Sequence, residues 1–177
     1  MKKIFLLLPL IFILFGKVFA QKFGYVDTDY IMNQMPEYKE AQAEIAQLSG
    51  SWHTEIQNMY KDVESMYNTL KAEEVLLTEE MKNERMVEIG AKEDSVKNYH
   101  NQVFGVDGLY FLKKKELVKP IQERVYEAVE KVCKNNRLQF MFDKAGDLVI
   151  IYSDPIHDYT DYVLDELGLG DENDVIK

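Results

Sequence analysis

The chain has 177 residues, with 31 acidic against 21 basic side chains and a formal charge of −10. So acidic a surface offers no basic stripe for nucleic acid, whose phosphates are bound by clustered Lys and Arg. Cys133 is the sole cysteine, which excludes an intrachain disulfide, and its apolar position points to a structural thiol rather than a reactive one.

Residues 1–20 open with Lys2 and Lys3, continue in an apolar run from Ile4 to Phe15 and close on Val18-Phe19-Ala20. That order is a secretory signal peptide with cleavage expected after Ala20. An N-terminal membrane anchor is the alternative reading, but Lys17 interrupts a segment already short of the roughly 20 residues a span requires. No cysteine near the junction suggests a lipid anchor. Losing Lys2, Lys3 and Lys17, and no acid, takes the formal charge from −10 to −13. The exported remainder is expected to be soluble and to form one domain, because no later stretch is apolar enough to cross a bilayer.

Lys22 to Asp27 is a β-branched and aromatic run ending in Asp27-Thr28-Asp29, which reads as a strand followed by a helix cap. A short helix to Met35 follows. Pro36 stops it and is well placed to begin the next, because the first turn of a helix needs no N–H there. Residues 21–36 are therefore assigned to a small body and 37–135 to a helical arm.

In the first half of that arm Tyr38, Ala41, Ile45, Leu48, Trp52, Ile56, Met59, Val63, Met66 and Leu70 recur at steps of three and four. This is a coiled-coil seam, with a stutter where Leu48, Trp52 and Ile56 follow at two steps of four. From Glu37 to Ala72, at ~1.5 Å per residue, it reaches roughly 54 Å. A stripe of that length needs partners, first the returning arm and then other copies of the chain. The turn is expected at 73–78, with Thr78 as N-cap and Glu79 and Glu80 complementing the helix dipole. The returning arm carries Ile89, Val96, Tyr99, Val103, Val106, Tyr110, Leu117, Ile121, Val125, Ala128 and Val132 on its seam. Gly105 and Gly108 interrupt it and are read as close approach of the facing arm, with a hinge around cargo as the alternative. Pro120 should bend the arm further down. Gly105, Gly108 and Pro120 are thus the candidate bends.

Asn135-Asn136-Arg137 ends the arm. Leu138 to Phe142 and Leu148 to Tyr152 read as two strands of a β-hairpin about Asp143-Lys144-Ala145-Gly146-Asp147, which the N-terminal strand can join. Tyr159, Tyr162, Val163 and Leu167 then repeat at helical spacing until Gly168 and Gly170. The body is assigned 136–168 in this half, and 169–177 is an acidic tail without the spacing of a calcium loop. Strands this few are marginal in one chain and their edges need cover. Phe23, Tyr25, Val26, Phe140, Phe142, Leu148 and Ile150 are accordingly the candidate oligomerisation residues.

Catalysis is not expected. His53, His100 and His157 lack a metal-ligand spacing, although His53 and His100 could meet across the arms, and neither a phosphate loop nor a nucleophile elbow is present. No cofactor is implied. Met59, Met66, Met81 and Met86 are candidates for contact with varied apolar partners, since flexible thioethers adapt to many shapes. Met59 and Met66 lie on the seam, where coiled-coil filling explains them; Met81 and Met86 lie off it near the tip. Lys113-Lys114-Lys115, the one basic run, offers contact to an anionic partner, a membrane or lipopolysaccharide.

The order of these parts, with Gly24-Tyr25-Val26-Asp27, Tyr30-Ile31, Pro36-Glu37-Tyr38, Leu117 to Gln122 and Phe140-Met141-Phe142-Asp143, resembles the Skp/OmpH family of periplasmic chaperones over essentially the whole exported chain. The resemblance implies a predominantly α, α+β fold in which a long antiparallel helical hairpin projects from a small β-body completed by trimerisation. It further implies that the cavity between three arms holds unfolded outer-membrane proteins against aggregation without ATP. The chain departs from the familiar members in charge: they are basic, and it is acidic, so apolar contacts are expected to carry more of the binding. A structural or adaptor coiled coil of the cell envelope is the alternative that the same residues allow.

Overall fold

The computed structural model describes residues 21–146 and 150–170. The expectations for the leader and its cleavage site, for Leu148 and for the tail beyond residue 170 lie outside these residues. Strand β1 (Phe23–Val26) leads into α1 (Thr28–Gln34) and then α2 (Pro36–Glu73). A 3-10 turn (Glu74–Leu76) joins α2 to α3 (Glu79–Phe104), which is followed by α4 (Leu109–Asn136), β2 (Phe140–Asp143), a second 3-10 turn (Pro155–His157) and α5 (Thr160–Glu166). The fold is α+β and predominantly α, with long helices and a two-stranded sheet. Among the described residues, no helix is long and apolar enough to cross a membrane.

The chain divides into two compact units. One holds the described residues up to Thr28 and from Ala128 onward; the other is Asp29–Glu127. Residues 29–36 thus cluster with the arm and residues 128–135 with the body.

The arm unit owes its form to the seam. Ala41, Ile56 and Val63 of α2 and Ile89, Val96 and Val103 of α3 are buried, and the other seam positions of α2 are half-buried. Ile56, Val63, Ile89 and Val96 form one core cluster, with Met59, Met66, Leu70, Tyr99 and Phe104 packed against it. The core is one seam wide, as two antiparallel helices must have it. Polar contacts flank it: the Tyr99 hydroxyl donates to Glu55 at 2.5 Å and the Tyr67 hydroxyl to Glu93 at 3.1 Å. Further along, Glu44 of α2 meets Lys113 of α4 at 3.4 Å, and Glu37 pairs with Arg124. At the tip the Thr78 side chain accepts from the Met81 N–H at 3.3 Å and so caps α3.

The return is two helices rather than one. α3 stops at Phe104, and Asp107 takes a φ of +57°. The reading of Gly105 and Gly108 as room for the facing arm is therefore corrected. A Cβ on Gly105 would strike the Asn101 carbonyl, and one on Gly108 the carbonyl of Val103, both within the chain's own last turn. Val106, expected on the seam, is 98 % exposed, because the helix that would have placed it there has ended. Pro120 lies inside α4, which continues on both sides of it.

In the body unit β1 and β2 pair in parallel, Phe23 opposite Phe140 and Val26 opposite Asp143. α4 reaches this unit and ends there in a Schellman arrangement. Arg137 adopts φ +55°, and the Leu138 N–H donates to the Cys133 carbonyl at 2.9 Å. The Asp143 carboxylate accepts from the Thr28 N–H (3.2 Å), its hydroxyl (2.6 Å) and the Ala145 N–H (3.0 Å), tying the end of β2 to the start of the first helix. The expected β-hairpin does not form among the described residues. Asp143 is engaged by Thr28 and Ala145 where the turn would begin, and Ile150–Tyr152 run outside any strand. Instead Tyr25 bridges Asp158, whose carboxylate accepts from the N–H and hydroxyl of Thr160 at 2.9 and 2.6 Å. Val163 and Leu164 of α5 are buried, and Gly168, at φ +74°, ends the helix as expected.

Candidate functional site

The candidate contact residues are apolar, and what bears on their role is how accessible each one is. The methionines divide on this criterion. Met59 and Met66 are half-buried against the arm core and fill its seam, whereas Met81 and Met86 are about half exposed near the tip. Met86, Tyr67, Leu70, Lys71 and Lys82 line a shallow groove of about 350 Å³. The tip turn itself exposes Val75 and Leu76, and Val87 is exposed on α3. These three were not singled out from the sequence, although Val75 and Leu76 lie between paired glutamates in the expected turn, where no partner helix can cover them.

The break between α3 and α4 carries an aromatic cluster. Phe104 stacks on His53 with centroids 4.5 Å apart and lies 5.6 Å from the His100 ring, 6.4 Å from Trp52 and 6.0 Å from Tyr110. Both histidines, one from each arm, pack against the Phe104 ring. Among the described residues, no group of three or more His, Cys, Asp or Glu is placed to hold a metal. Phe104 follows His100 by four residues, a spacing that puts both on one helix face and could have signalled the cluster.

The basic run is partly engaged within the arm. Lys113 pairs with Glu116 at 3.1 Å and Glu44 at 3.4 Å, and the bond to Glu116, with help from Glu44, raises its pKa above the usual lysine value. Lys114 and Lys115 are exposed, with no ion pair among the described residues.

In the body unit the candidate strand residues differ in burial. Tyr25 and Val26 are buried, while Phe23, Phe140 and Phe142 remain about half exposed. Beside them a hollow of about 630 Å³ is lined by Phe23, Tyr25, Phe142, Ile150, Ile151, Tyr152 and His157. Ile151 is 95 % exposed and Tyr152 nearly as much, so the hollow presents an accessible apolar wall. Phe23 and His157 stack across its rim at 4.7 Å. Cys133, half-buried, has its thiol pKa pushed up by burial and by Glu130, which disfavours a reactive thiolate.

The family model described as outer membrane protein (OmpH-like) matches residues 22–167. No significant match is found among curated proteins. Among solved structures, the chain is similar to an OmpH-like outer membrane chaperone from Caulobacter crescentus CB15, with a TM-score of 0.67 and 10 % identity over 84 % of each chain. At that identity the likeness is one of fold.

Proposed function

The chain belongs to the OmpH-like family, and from that premise we propose that it is a non-enzymatic, ATP-independent holdase of the periplasm that binds unfolded outer-membrane proteins and prevents their aggregation. The supporting observation is the apolar patch of the body unit: Phe23, Phe140, Phe142, Ile151 and Tyr152 are exposed beside a sheet of two strands. So small a sheet is marginal alone, and a patch of this kind is covered in a working protein by association. Three copies would cover one another there, leaving three arms to enclose a client.

Within such an enclosure, Met81, Met86 and Val87 would supply weak and adaptable apolar contacts. Many such contacts hold an unfolded chain and still let it leave. The acidic arms lack the charge for an electrostatic hold on acidic clients, and within the basic run Lys114 and Lys115 are the exposed cations an anionic lipid head group would meet.

Light scattering from a diluted, unfolded β-barrel protein tests the proposal. A stoichiometric amount of the assembled protein should suppress aggregation with no nucleotide present. Unchanged scattering at that ratio would refute it.

A further inference from the structure

The tip of the arm unit combines two features that local stability does not explain. Residues 73–80 read Glu-Glu-Val-Leu-Leu-Thr-Glu-Glu, and the turn leaves Val75 91 % and Leu76 82 % exposed. A turn needs no aliphatic side chains, and two adjacent ones held in water, with Met81 half exposed nearby, form a patch rather than scattered surface residues. Glu79 and Glu80 suit the N-terminus of α3. Glu73 and Glu74, however, stand at the C-terminal end of α2, where the helix dipole favours cations. Lys82 pairs with Glu79 at 2.9 Å and also attracts Glu74 through space, while Glu73, Glu74 and Glu80 make no direct ion pair among the described residues.

We infer that this tip docks a cationic, apolar segment of a polypeptide. Its aliphatic centre would accept apolar side chains, and the glutamates around it would meet flanking Lys or Arg, whose own stems are apolar. The same carboxylates repel an anionic membrane surface and a second tip of like charge. Lys71 and Lys82 offset only part of the acidic excess. The inference rests on the chaperone reading for its biological use, since it names the kind of client segment the tip selects.

Fluorescence anisotropy with two labelled peptides tests it, both sharing one apolar core and flanked by lysines in one and glutamates in the other. The lysine peptide should bind the full chain more tightly, with a preference that shrinks as salt rises. The Glu73→Gln, Glu74→Gln, Glu80→Gln variant should weaken its binding roughly fivefold to tenfold, the combined effect of three exposed charge pairs. Val75→Ser with Leu76→Ser should weaken both peptides. Equal affinity for the two peptides, or an unchanged affinity in the glutamine variant, would overturn the inference. So would competition by phosphatidylglycerol vesicles, or a solution mass that depends on the tip residues. Unsuppressed client aggregation alongside a retained lysine preference would refute the chaperone reading alone. Suppressed aggregation without that preference would refute the tip alone.

Discussion

Replacing Ile89 with alanine tests whether the seam holds the arms together. Ile89 is 1 % exposed and shares the core cluster with Ile56, Val63 and Val96. The substitution removes three carbons, which at ~0.8 kcal/mol per buried methylene amounts to about 2.4 kcal/mol. A residual cavity between two long helices that cannot collapse independently raises the expected loss into the range of about 2–5 kcal/mol. In a core one seam wide that is a large share of a typical stability of about 5–15 kcal/mol. Urea unfolding followed by far-ultraviolet circular dichroism measures it, with Val87→Ala as the control. Val87 lies on the same helix but is exposed, so its truncation should change stability by no more than about 0.5 kcal/mol. Equal losses for the two variants would refute the reasoning, because burial on the seam would then not be what stabilises the hairpin.

Two glycines should respond in opposite directions. Gly90→Ala, in the interior of α3 with nothing within 4 Å of the added Cβ, should stabilise by about 0.5–1 kcal/mol. Gly108→Ala drives its Cβ against the carbonyls of Val103 and Gly105 and should destabilise by about 1 kcal/mol or more, read by the same unfolding curves. Tyr99 and Tyr67 donate to carboxylates, and these bonds, with smaller contributions from desolvation and charge, raise both phenol pKa values. Their contribution is present below the unfolded tyrosine value of about 10 and is lost as pH rises through the higher folded values. Tyrosinate absorbance compared with Tyr99→Phe and Tyr67→Phe should place both ionisations above that value, and ionisation at or below it would contradict the hydrogen bonds.

The arms were legible because burial along a helix is periodic and local. Every seam position from Tyr38 to Leu70 is buried or half-buried, and Thr78 caps α3 where its side chain and the following acids suggest. Val106 was not, because the helix ends on contacts that Gly105 and Gly108 make with the last turn, which an apolar spacing count cannot register. The body was less legible. A parallel pairing of Phe23–Val26 with Phe140–Asp143 joins segments more than a hundred residues apart, whereas the glycine-containing turn at 143–147 favours a local hairpin. Among the candidate contact residues, Met81 and Met86 are about half exposed. In the ring cluster about Phe104 the His100 spacing is legible in the sequence, whereas the stacking on His53 needs the facing arm.

Association of the body unit is the central claim, and sedimentation equilibrium of the exported chain tests it most directly. A mass of three chains is predicted, falling toward one when Phe140 and Phe142 are both replaced by serine. A stable, folded single chain at working concentration would contradict the account.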